Sequence, residues 1–356
     1  MQRNPHSYQI ATGYRTFYSL SLIYQPITKK RLFFNNKGGV GKTTFTFHLG
    51  YALERIGKKV LFADLDPQCN LTAHICSDET IDNAWSDHGN SLYQAIAPIV
   101  TGAGDVKIVE PYRVPNRNIW VFIGDLLLSD FEGELSNAWT QILAAQERGF
   151  RVTSSLLRMI KDFGIKNEID YVLVDLGPNL GSLNRAILLG CDNFIIPMIP
   201  DLFSLRGSQN IGRVFAEWID NYNFAKLRVK EMDFEVPKGE PQFLGYILQQ
   251  FNVYRKRKTK AYQNWGDLIP EYIEKYLIAP LTQENLSGLS LVAKADNYKI
   301  ADFKNYHSLI PLAQEAQKPV FELTNKDGVI GGHYQYVEGC LKEFKDIAYE
   351  IVRRIP

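Results

Sequence analysis

The stretch that decides the fold is Asn36-Lys37-Gly38-Gly39-Val40-Gly41-Lys42-Thr43-Thr44. It follows the apolar run at residues 32–34 and precedes a helix-like run at residues 45–53. In a strand–glycine turn–helix arrangement, the backbone N–H groups of the turn hold phosphate oxygens and the helix N-terminus adds positive potential. In such a loop, a lysine at the position of Lys42 reaches the outer phosphates. A hydroxyl at the position of Thr43 binds Mg²⁺. The stretch therefore predicts a phosphate-binding loop.

The loop departs from the ordinary phosphate-binding pattern at its first position. That pattern requires glycine where this chain has Asn36, whereas the variant Lys-Gly-Gly-x-Gly-Lys-Thr fits completely. In the variant, Lys37 enters at the start of the loop as a second cation. A glycine turn with one lysine is compatible with a purely structural role, but two lysines bracketing the glycines favour phosphate binding.

Composition limits the kind of protein this is. The chain has 356 residues, 45% of them hydrophobic, and a formal net charge of +1, which suits one large α/β domain or two small ones. The near-neutral charge gives no overall bias toward nucleic acid, so nucleic-acid binding requires a local basic patch. Four cysteines do not make a disulfide scaffold and indicate free thiols in a reducing cytosol.

Two local patterns fall short of a metal site and of a membrane span or signal peptide. Cys69, His74 and Cys76 lie close together as metal ligands do, but no second cluster completes a ligand set. The longest N-terminal apolar run, residues 17–24, is too short to span a bilayer and lacks the basic start and cleavage site of a signal peptide. We therefore expect a cytoplasmic protein.

Three carboxylates follow two buried-strand patterns. The apolar run after Lys59 ends in Asp64 and Asp66 before a proline, and a second run ends in Asp175 before Gly177 and a proline. In doubly wound sheets ligands bind beyond the carboxyl ends of the strands, so we expect these carboxylates near the loop. A carboxylate in this place holds a Mg²⁺-bound water, and a glycine lets the backbone approach the γ-phosphate. The structural alternatives are turn aspartates and a helix-capping aspartate.

Strand and helix patterns alternate from residue 31 to about residue 250. This alternation predicts an α/β fold with a doubly wound, mostly parallel sheet and helices on both faces. No linker or composition shift marks a second domain, so we expect an N-terminal extension at residues 1–30 and one domain at residues 31–356. The remaining expectations are strands at residues 118–123, 193–200 and 243–250, helices at 45–56, 91–97, 126–135, 139–163 and 203–222, loop-rich chain at 77–115, and a loop and turn at 310–321.

Two later segments carry patterned charge. A basic run supplies five cations in six positions, either as a solvated face or as a salt-dependent contact with a nucleic-acid backbone. In the closing segment, apolar residues from Val337 to Val352 recur at helical spacing, which favours core packing over lying on a membrane. The residues of the basic run are Arg255, Lys256, Arg257, Lys258 and Lys260.

The chain resembles the partition ATPases of the ParA type, within the class that has a deviant Walker A loop. The strong matches are Lys37-Gly38-Gly39-Val40-Gly41-Lys42-Thr43-Thr44, Asp64-Leu65-Asp66-Pro67-Gln68 and Val174-Asp175-Leu176-Gly177-Pro178-Asn179-Leu180. Weaker matches follow at residues 197–207, 245–250 and 310–323. The resemblance covers nearly the whole chain from residue 31 and implies the three-layer α/β/α fold of P-loop NTPases.

The resemblance also implies roles for individual residues in ATP hydrolysis. Lys42 binds the β- and γ-phosphates, Thr43 binds Mg²⁺, Thr44 lies near the α-phosphate, and Lys37 crosses a dimer interface to the partner's nucleotide. Asp66 orients the attacking water, Asp64 supports the Mg²⁺ shell or the switch, Asp175 is the Walker B aspartate, and Gln249 and Pro311 contact adenine. The chain departs from the family pattern at three positions: Gln249 replaces an asparagine, and Gly177 and Ile123 replace prolines.

The activity implied by the resemblance is an ATP-driven switch with ATP and Mg²⁺ as cofactors. ATP joins two protomers, the homodimer holds DNA non-specifically, and hydrolysis releases it, so that DNA or another cargo is positioned or segregated. An activating adaptor protein and a nucleoid-associated location in the cytoplasm are expected, and a membrane partner is not. The alternatives are a MinD-like positioning ATPase that uses a membrane, and a nucleotide-gated scaffold subunit of a larger complex such as a defence assembly.

Overall fold

A computed structural model describes residues 29–33, 41–229, 232–251, 253–254, 257–258, 260–283 and 296–355 of the chain. Lys37, Gly38, Gly39 and Val40 of the loop lie outside the described residues, as do Arg255 and Lys256 of the basic run.

An eight-stranded sheet forms the centre of the fold, in the order β10-β7-β6-β1-β5-β2-β4-β3. The pairing of β3 with β4 is antiparallel, and every other pairing in this sheet is parallel. The strands are β1 (Lys29–Phe33), β2 (Val60–Asp64), β3 (Tyr112–Arg113), β4 (Ile119–Phe122), β5 (Tyr171–Asp175), β6 (Asn193–Met198), β7 (Gln242–Phe251) and β10 (Lys299–Lys304), and β8 (Val253–Tyr254) pairs with β9 (Arg257–Lys258) in a separate hairpin.

Helices cover both faces of the sheet, as the prediction of a doubly wound three-layer fold requires. A π-helical turn at Glu274–Ile278 continues one of these helices, and 3₁₀ turns occupy Leu126–Asp130, Val320–Glu322 and Asn325–Asp327. The helices are α1 (Lys42–Arg55), α2 (Asn70–Ile75), α3 (Asp78–Trp85), α4 (Leu92–Val100), α5 (Phe131–Leu143), α6 (Glu147–Lys166), α7 (Ser182–Gly190), α8 (Leu202–Lys226), α9 (Lys260–Ile273), α10 (Ala279–Gln283), α11 (Leu309–Glu315) and α12 (His333–Arg354).

Successive residues of the central strands belong to two different cores. In β2, Leu61 and Ala63 pack into the core beneath α4 to α9, whereas Val60 and Phe62 pack into the core beneath α1 and α12. Strand residues point alternately to opposite faces, so a strand buried on both faces is apolar throughout. This explains why the continuous apolar runs in the sequence correctly predicted the central strands.

A β-bulge in β7 shifts this alternation by one residue. Phe194 of β6 pairs with Phe243, but the next residue, Ile195, pairs with Gly245, so Leu244 is extra. Leu244 and Gly245 therefore lie on the same side, and Gly245 has a φ of +135°, where a side chain is strained. Beyond the bulge, odd-numbered positions of β7 face α1.

Four segments differ from the predictions. The segment at 139–163 is not one helix, because Ala145, with a φ of 54°, breaks it between α5 and α6. Residues 310–321 are not loop and turn, because α11 and a 3₁₀ turn form there. The loop-rich stretch at 77–115 contains α3, whose first turn is capped by the Ser77 hydroxyl accepting from the Thr80 N–H. The edge strand β10 extends the sheet beyond the last predicted strand.

The C-terminal helix α12 packs its apolar stripe against α1, as predicted for core packing. Val337, Phe344, Ile347 and Ile351 are buried in the core beneath α1. No helix among the described residues is long and apolar enough to cross a membrane.

Arg354, near the end of α12, is 2% exposed although it is charged. Its guanidinium donates to the carbonyl oxygens of Leu244 (2.9 Å) and Lys299 (2.7 Å) and pairs with Glu350 (2.6 Å) and Asp296 (3.1 Å). A buried charge requires partners of this kind, because desolvation is otherwise costly. Arg354 thereby connects α12 to the bulge in β7 and to β10.

Candidate nucleotide site

The phosphate loop ends at Gly41, which is the N-cap of α1 and has a φ of 76°. The left-handed backbone conformation at Gly41 favours glycine, and a Cβ there would lie 2.5 Å from Gln249 Oε1, so the carboxamide would have to move. Lys42 and Thr43 follow in the first turn of α1, where the helix N-terminus is electropositive. The described end of the loop therefore has the form that the sequence predicted.

Thr43 and Asp175 meet between α1 and β5. The Thr43 hydroxyl donates to Asp175 Oδ2 at 2.7 Å, and the other carboxylate oxygen, Oδ1, is buried with no hydrogen-bond partner. The contact follows from the sheet, because β1, which leads into the loop, pairs in parallel with β5 up to Asp175. A threonine hydroxyl beside a carboxylate is the protein part of the Mg²⁺ site in P-loop NTPases.

Asp64 lies beside Asp175 because β2 pairs with β5 with these two residues in register. It accepts from the backbone N–H of Thr72 (2.7 Å) and of Asp66 (3.3 Å). Burial raises the pKa of Asp64 to about 7. Burial, and then the negative charge of Asp64, raise the pKa of Asp175 to about 8.

The oxygen donors of this site fit a magnesium ion that takes only part of its coordination shell from the protein. Asp64 and Asp175 are buried carboxylates with raised pKa values, and one oxygen of Asp175 has no hydrogen-bond partner. A bound cation would stabilise their charged forms. Within the described residues, no group of three His, Cys, Asp or Glu side chains is arranged to hold a metal alone. Mg²⁺ commonly takes one or two protein oxygens and completes its shell with water and phosphate. Thr43 and Asp175, with Asp64 behind them, match that mode.

Asp66 lies at the same edge and is 6% exposed. Its Oδ1 accepts from the Gln68 N–H at 3.0 Å. A Cβ on Gly177 would come within 3.2 Å of this oxygen, so the glycine lets the two segments approach. Burial lowers the pKa of Lys42, and the charges of Asp175 and Asp66 oppose that shift. The structure thus brings together Lys42, Thr43, Asp64, Asp66 and Asp175.

The two predicted adenine contacts occupy different surroundings. Gln249 is fully buried, with Nε2 donating to the Gly41 carbonyl at 3.4 Å and Oε1 lacking a partner. Pro311 is exposed on α11. The structure places Gln249 against the end of the phosphate loop, and it gives Pro311 no described contact with that loop.

Several residues around the carboxylates were missed by the sequence analysis. The Asn184 amide donates to the carbonyl oxygens of Gly177 (2.8 Å) and Asn179 (2.7 Å), which fixes the turn after β5. Glu132 accepts from the N–H groups of Ser182 (2.7 Å) and Leu183 (3.2 Å) at the start of α7. A polar Asn184 on the apolar face of α7 was a usable signal, whereas nothing local marks Glu132.

The predicted basic run is described only in part. Arg257 and Lys258 form β9, and Lys260 begins α9. In the hairpin, Tyr254 pairs with Arg257 and Val253 with Lys258.

His48 is a buried, neutral histidine in α1. Its Nε2 accepts from the Val320 N–H at 3.0 Å, so Nδ1 carries the proton and donates to the Thr44 carbonyl at 2.7 Å. Burial lowers the pKa of His48 from its usual value to about 4. The imidazole therefore stays neutral in the fold and uses both nitrogens.

Replacing His48 with glutamine is expected to flatten the pH dependence of stability. The unfolded chain protonates this histidine near its ordinary pKa of 6.5, whereas the folded chain resists until about 4. The unfolded state therefore binds more protons in this window, and stability falls as the pH falls. Between about pH 7 and about pH 4.5, the wild type should lose about 2–3 kcal/mol more than the His48→Gln variant. Urea unfolding at both pH values measures this, and parallel losses in the two proteins would contradict it.

Comparison with known proteins agrees with the fold and with the loop. The AAA domain family (AAA_31) matches residues 28–228, more than half of the chain. Sporulation initiation inhibitor protein Soj of Bacillus subtilis is 29% identical over 173 residues, which are 49% of this chain and 59% of Soj. The match thus covers less than two thirds of the length of Soj.

Two solved structures share the fold over most of the chain. McdA from Cyanothece in complex with ATP covers 92% of this chain and 97% of its own, at 16% identity and a TM-score of 0.58. The pNOB8 ParA bound to nonspecific DNA covers 92% of this chain and 99% of its own, at 21% identity and a TM-score of 0.55. The family match covers more than half of the chain and shows that the chain belongs to the AAA domain family, and in sequence and fold the chain is similar to Soj and to ParA.

Proposed function

We propose that this protein hydrolyses ATP and uses the ATP-bound state to form a homodimer that holds DNA non-specifically and positions or segregates a cargo. The observation that carries this proposal is the Thr43–Asp175 hydrogen bond at the electropositive start of α1, beside buried Lys42. This arrangement suits a nucleoside triphosphate with its metal ion, because it brings together the Lys42 ammonium, the Thr43 hydroxyl and the Asp175 carboxylate. The similar structures of McdA in complex with ATP and of pNOB8 ParA bound to nonspecific DNA support the choice of activity.

In this proposal each described residue has a separate task. Lys42 binds the outer phosphates, and Thr43 with Asp175 holds the Mg²⁺, which neutralises the charge of the phosphates when bound. Asp66 orients the attacking water, because its carboxylate lies at the same edge as Lys42 and is held by the Gln68 N–H. Asp64, beside Asp175, supports the Mg²⁺ coordination shell with its negative charge. Residues 31–356 form one ATPase domain in this proposal, and Gln249 and Pro311 contact the adenine.

The dimer is supported by exposed apolar residues around the site edge. Leu126 (55% exposed) and Leu127 (48%) follow β4, and Leu202 (44%) follows β6. Both strands end at the sheet edge where β2 and β5 present their carboxylates, since all four run in parallel. A second copy covering this edge would bury these leucines and bring its own Lys37 to the nucleotide. In this proposal, the active site is complete only when the homodimer has formed.

The DNA contact is assigned to the basic run and supported by the neighbour that was solved on nonspecific DNA. Arg257 and Lys258 form β9 of the hairpin and Lys260 begins α9, whereas Arg255 and Lys256 precede β9 in the sequence. Clustered cations of this kind bind the phosphate backbone with counterion release, so salt should weaken the contact. An activating adaptor protein and a nucleoid-associated location in the cytoplasm complete the proposal.

The dimer is tested by size-exclusion chromatography with ATP and with ADP, comparing the wild type with Lys37→Ala. We expect the wild type to elute as a dimer with ATP only, and Lys37→Ala to stay monomeric while its ATP affinity falls by less than about tenfold. The affinity should largely remain because Lys42 and Thr43 of the same protomer still bind the phosphates.

Lys166→Ala is the matched control, because this exposed lysine ends α6 and precedes the start of β5, at the sheet edge opposite the loop, and it should leave the ATP dimer intact. An ATP dimer that survives Lys37→Ala would remove the trans role of Lys37. DNA retention that is unaffected by raising the salt concentration would count against the basic run, because phosphate contacts are salt-dependent.

A further inference from the structure

The turn that follows β5, residues 176–181, borders the site beside Asp66. A Cβ on Gly177 would lie 3.2 Å from Asp66 Oδ1 and 3.8 Å from Asn179 Nδ2, and no other side chain comes closer to that point. Because glycine has no side chain, the space in front of Gly177 stays open. This open space is bordered by a carboxylate oxygen and by an amide nitrogen.

Backbone contacts fix Asp66 relative to the turn. The Leu65 N–H donates at 3.0 Å to the carbonyl of Asp175, the residue that ends β5 and precedes the turn. The Cys69 N–H donates to the Asp66 carbonyl at 2.9 Å, and the Gln68 N–H donates to Asp66 Oδ1 at 3.0 Å. The protein alone therefore sets the position of the Asp66 carboxylate beside the turn.

The Asn179 carboxamide is held by its oxygen. Its Oδ1 accepts from the Gly181 N–H and from the Asn184 amide, both at 2.9 Å. Asn184 is 2% exposed and also donates to the carbonyl oxygens of Gly177 and Asn179, so its own orientation is fixed. Nδ2 of the exposed Asn179 has no hydrogen-bond acceptor among the described residues. An amide held in this way presents its N–H groups in a fixed direction.

The far end of the turn is fixed by α5. Glu132 of α5 accepts from the N–H groups of Ser182 (2.7 Å) and Leu183 (3.2 Å), which begin α7. A Cβ on Gly181 would lie 2.6 Å from Glu132 Oε1, so the carboxylate packs directly against the end of the turn. A functional group is positioned accurately when the residues that support it are themselves fixed in this way.

We propose that Asn179 is a second residue that contacts the attacking water. Asp66 accepts a hydrogen bond from the water, and Asn179 Nδ2 donates one to the water oxygen, which keeps its other lone pair for the terminal phosphorus. The assignment rests on the proposed ATPase function and deepens it, because it adds a donor to the acceptor already assigned at Asp66. Asn184 holds this donor in place through Asn179 Oδ1.

The contacts would orient the water for displacement at phosphorus. The water oxygen forms a bond to the terminal phosphorus while the bond from that phosphorus to the bridging oxygen of ADP breaks, and both water protons leave on the product as dihydrogen phosphate. Neither side chain is consumed. A water held by two hydrogen bonds samples fewer orientations than a water held by one, and correct placement of this kind changes rates by about 10–100-fold.

The test measures kcat at saturating ATP and the ATP dissociation constant for Asn179→Ala and Asn179→Asp. Alanine removes the whole carboxamide, whereas aspartate keeps an acceptor oxygen for the Gly181 N–H and the Asn184 amide but lacks the N–H donor. We expect kcat to fall by about 10–100-fold in both variants, and the dissociation constant of Asn179→Ala to stay within about threefold of the wild type. Asn179→Asp should unfold at the same urea concentration as the wild type, because the bonds that hold the turn remain.

Asn305→Ala is the matched control. Asn305 follows β10, and its Oδ1 accepts from the His307 N–H at 2.9 Å, which is the same turn bond that Asn179 makes with Gly181. β10 lies four strand spacings from β5 in the sheet, which corresponds to about 19 Å. The control loses the turn bond far from the site, so its kcat should stay within about twofold of the wild type.

A wild-type kcat in Asn179→Asp would show that Asn179 contributes only the oxygen that holds the turn, and it would overturn the water contact. A wild-type kcat in Asn179→Ala would overturn it as well, and so would an equal loss in Asn305→Ala. These outcomes leave the ATPase function standing. A wild type that hydrolyses no ATP would overturn the proposed ATPase function together with the water contact.

Discussion

Asp66→Asn is expected to lower kcat for ATP hydrolysis by about 10²–10³-fold and to leave the ATP dissociation constant within about threefold. Asparagine keeps the size of the side chain and its acceptor for the Gln68 N–H, but it loses the negative charge that orients the water. The phosphates are bound by other residues, Lys42 and Thr43, so binding should survive. Phosphate release at saturating ATP and titration with a fluorescent ATP analogue measure the two quantities separately.

Asp125→Asn is the matched control for this substitution. Asp125 is another buried carboxylate in the turn that follows the parallel strand β4, but it accepts from the Ser91 hydroxyl at 2.6 Å and the Leu127 N–H at 2.9 Å. Its structural partners predict that kcat changes by less than about threefold. Equal rates for wild type and Asp66→Asn would contradict the hydrolytic role of Asp66 and favour a nucleotide-gated scaffold.

The second large effect concerns stability: Arg354→Met is expected to lower the free energy of unfolding by about 3–5 kcal/mol. Methionine fills most of the volume, but it leaves the carbonyl oxygens of Leu244 and Lys299 without the donor they now have. Glu350 and Asp296 also lose their buried partner. Urea unfolding followed by circular dichroism measures the change.

Arg353→Met provides the comparison, because this neighbouring arginine is exposed and pairs with the same two carboxylates, Glu350 and Asp296. Surface ion pairs contribute little, so its unfolding curve should overlay that of the wild type. If the two variants unfolded at the same urea concentration, the role assigned to the buried guanidinium would be wrong.

The central part of the fold was predictable because its physical signals are local. The strands β2, β5 and β6 are buried on both faces, which makes them continuously apolar, and each is followed by a polar or glycine-containing turn. The loop and the three aspartates occupy the ends of such strands, so their convergence followed from the parallel sheet. The glycine motif predicted Lys42 and Thr43, and the strand ends predicted Asp64, Asp66 and Asp175. The structure brings the five side chains together, and their roles stay predictions.

The remaining features depend on contacts between distant parts of the chain. α11 contains a proline in its first turn and has only seven residues, so its sequence has the composition of a turn, and its Gln314 contacts the distant His74. β10 is partly exposed and pairs on one side only, which leaves it without an apolar run. Glu132 acts on α7 from fifty positions away. Local pattern carries no information of this kind.

The extra residue in β7 has a consequence for comparing this chain with others. Up to Phe243 the even positions point toward α1, and after Gly245 the odd positions do, so the phase of the strand changes once along its length. Gln249 reaches the phosphate loop only because of that change; in an unbroken strand the same carboxamide would point into the opposite layer. A superposition that counts residues from the start of β7 therefore selects Leu248, an aliphatic residue, as the neighbour of Gly41. The functional position must be counted back from the end of the strand.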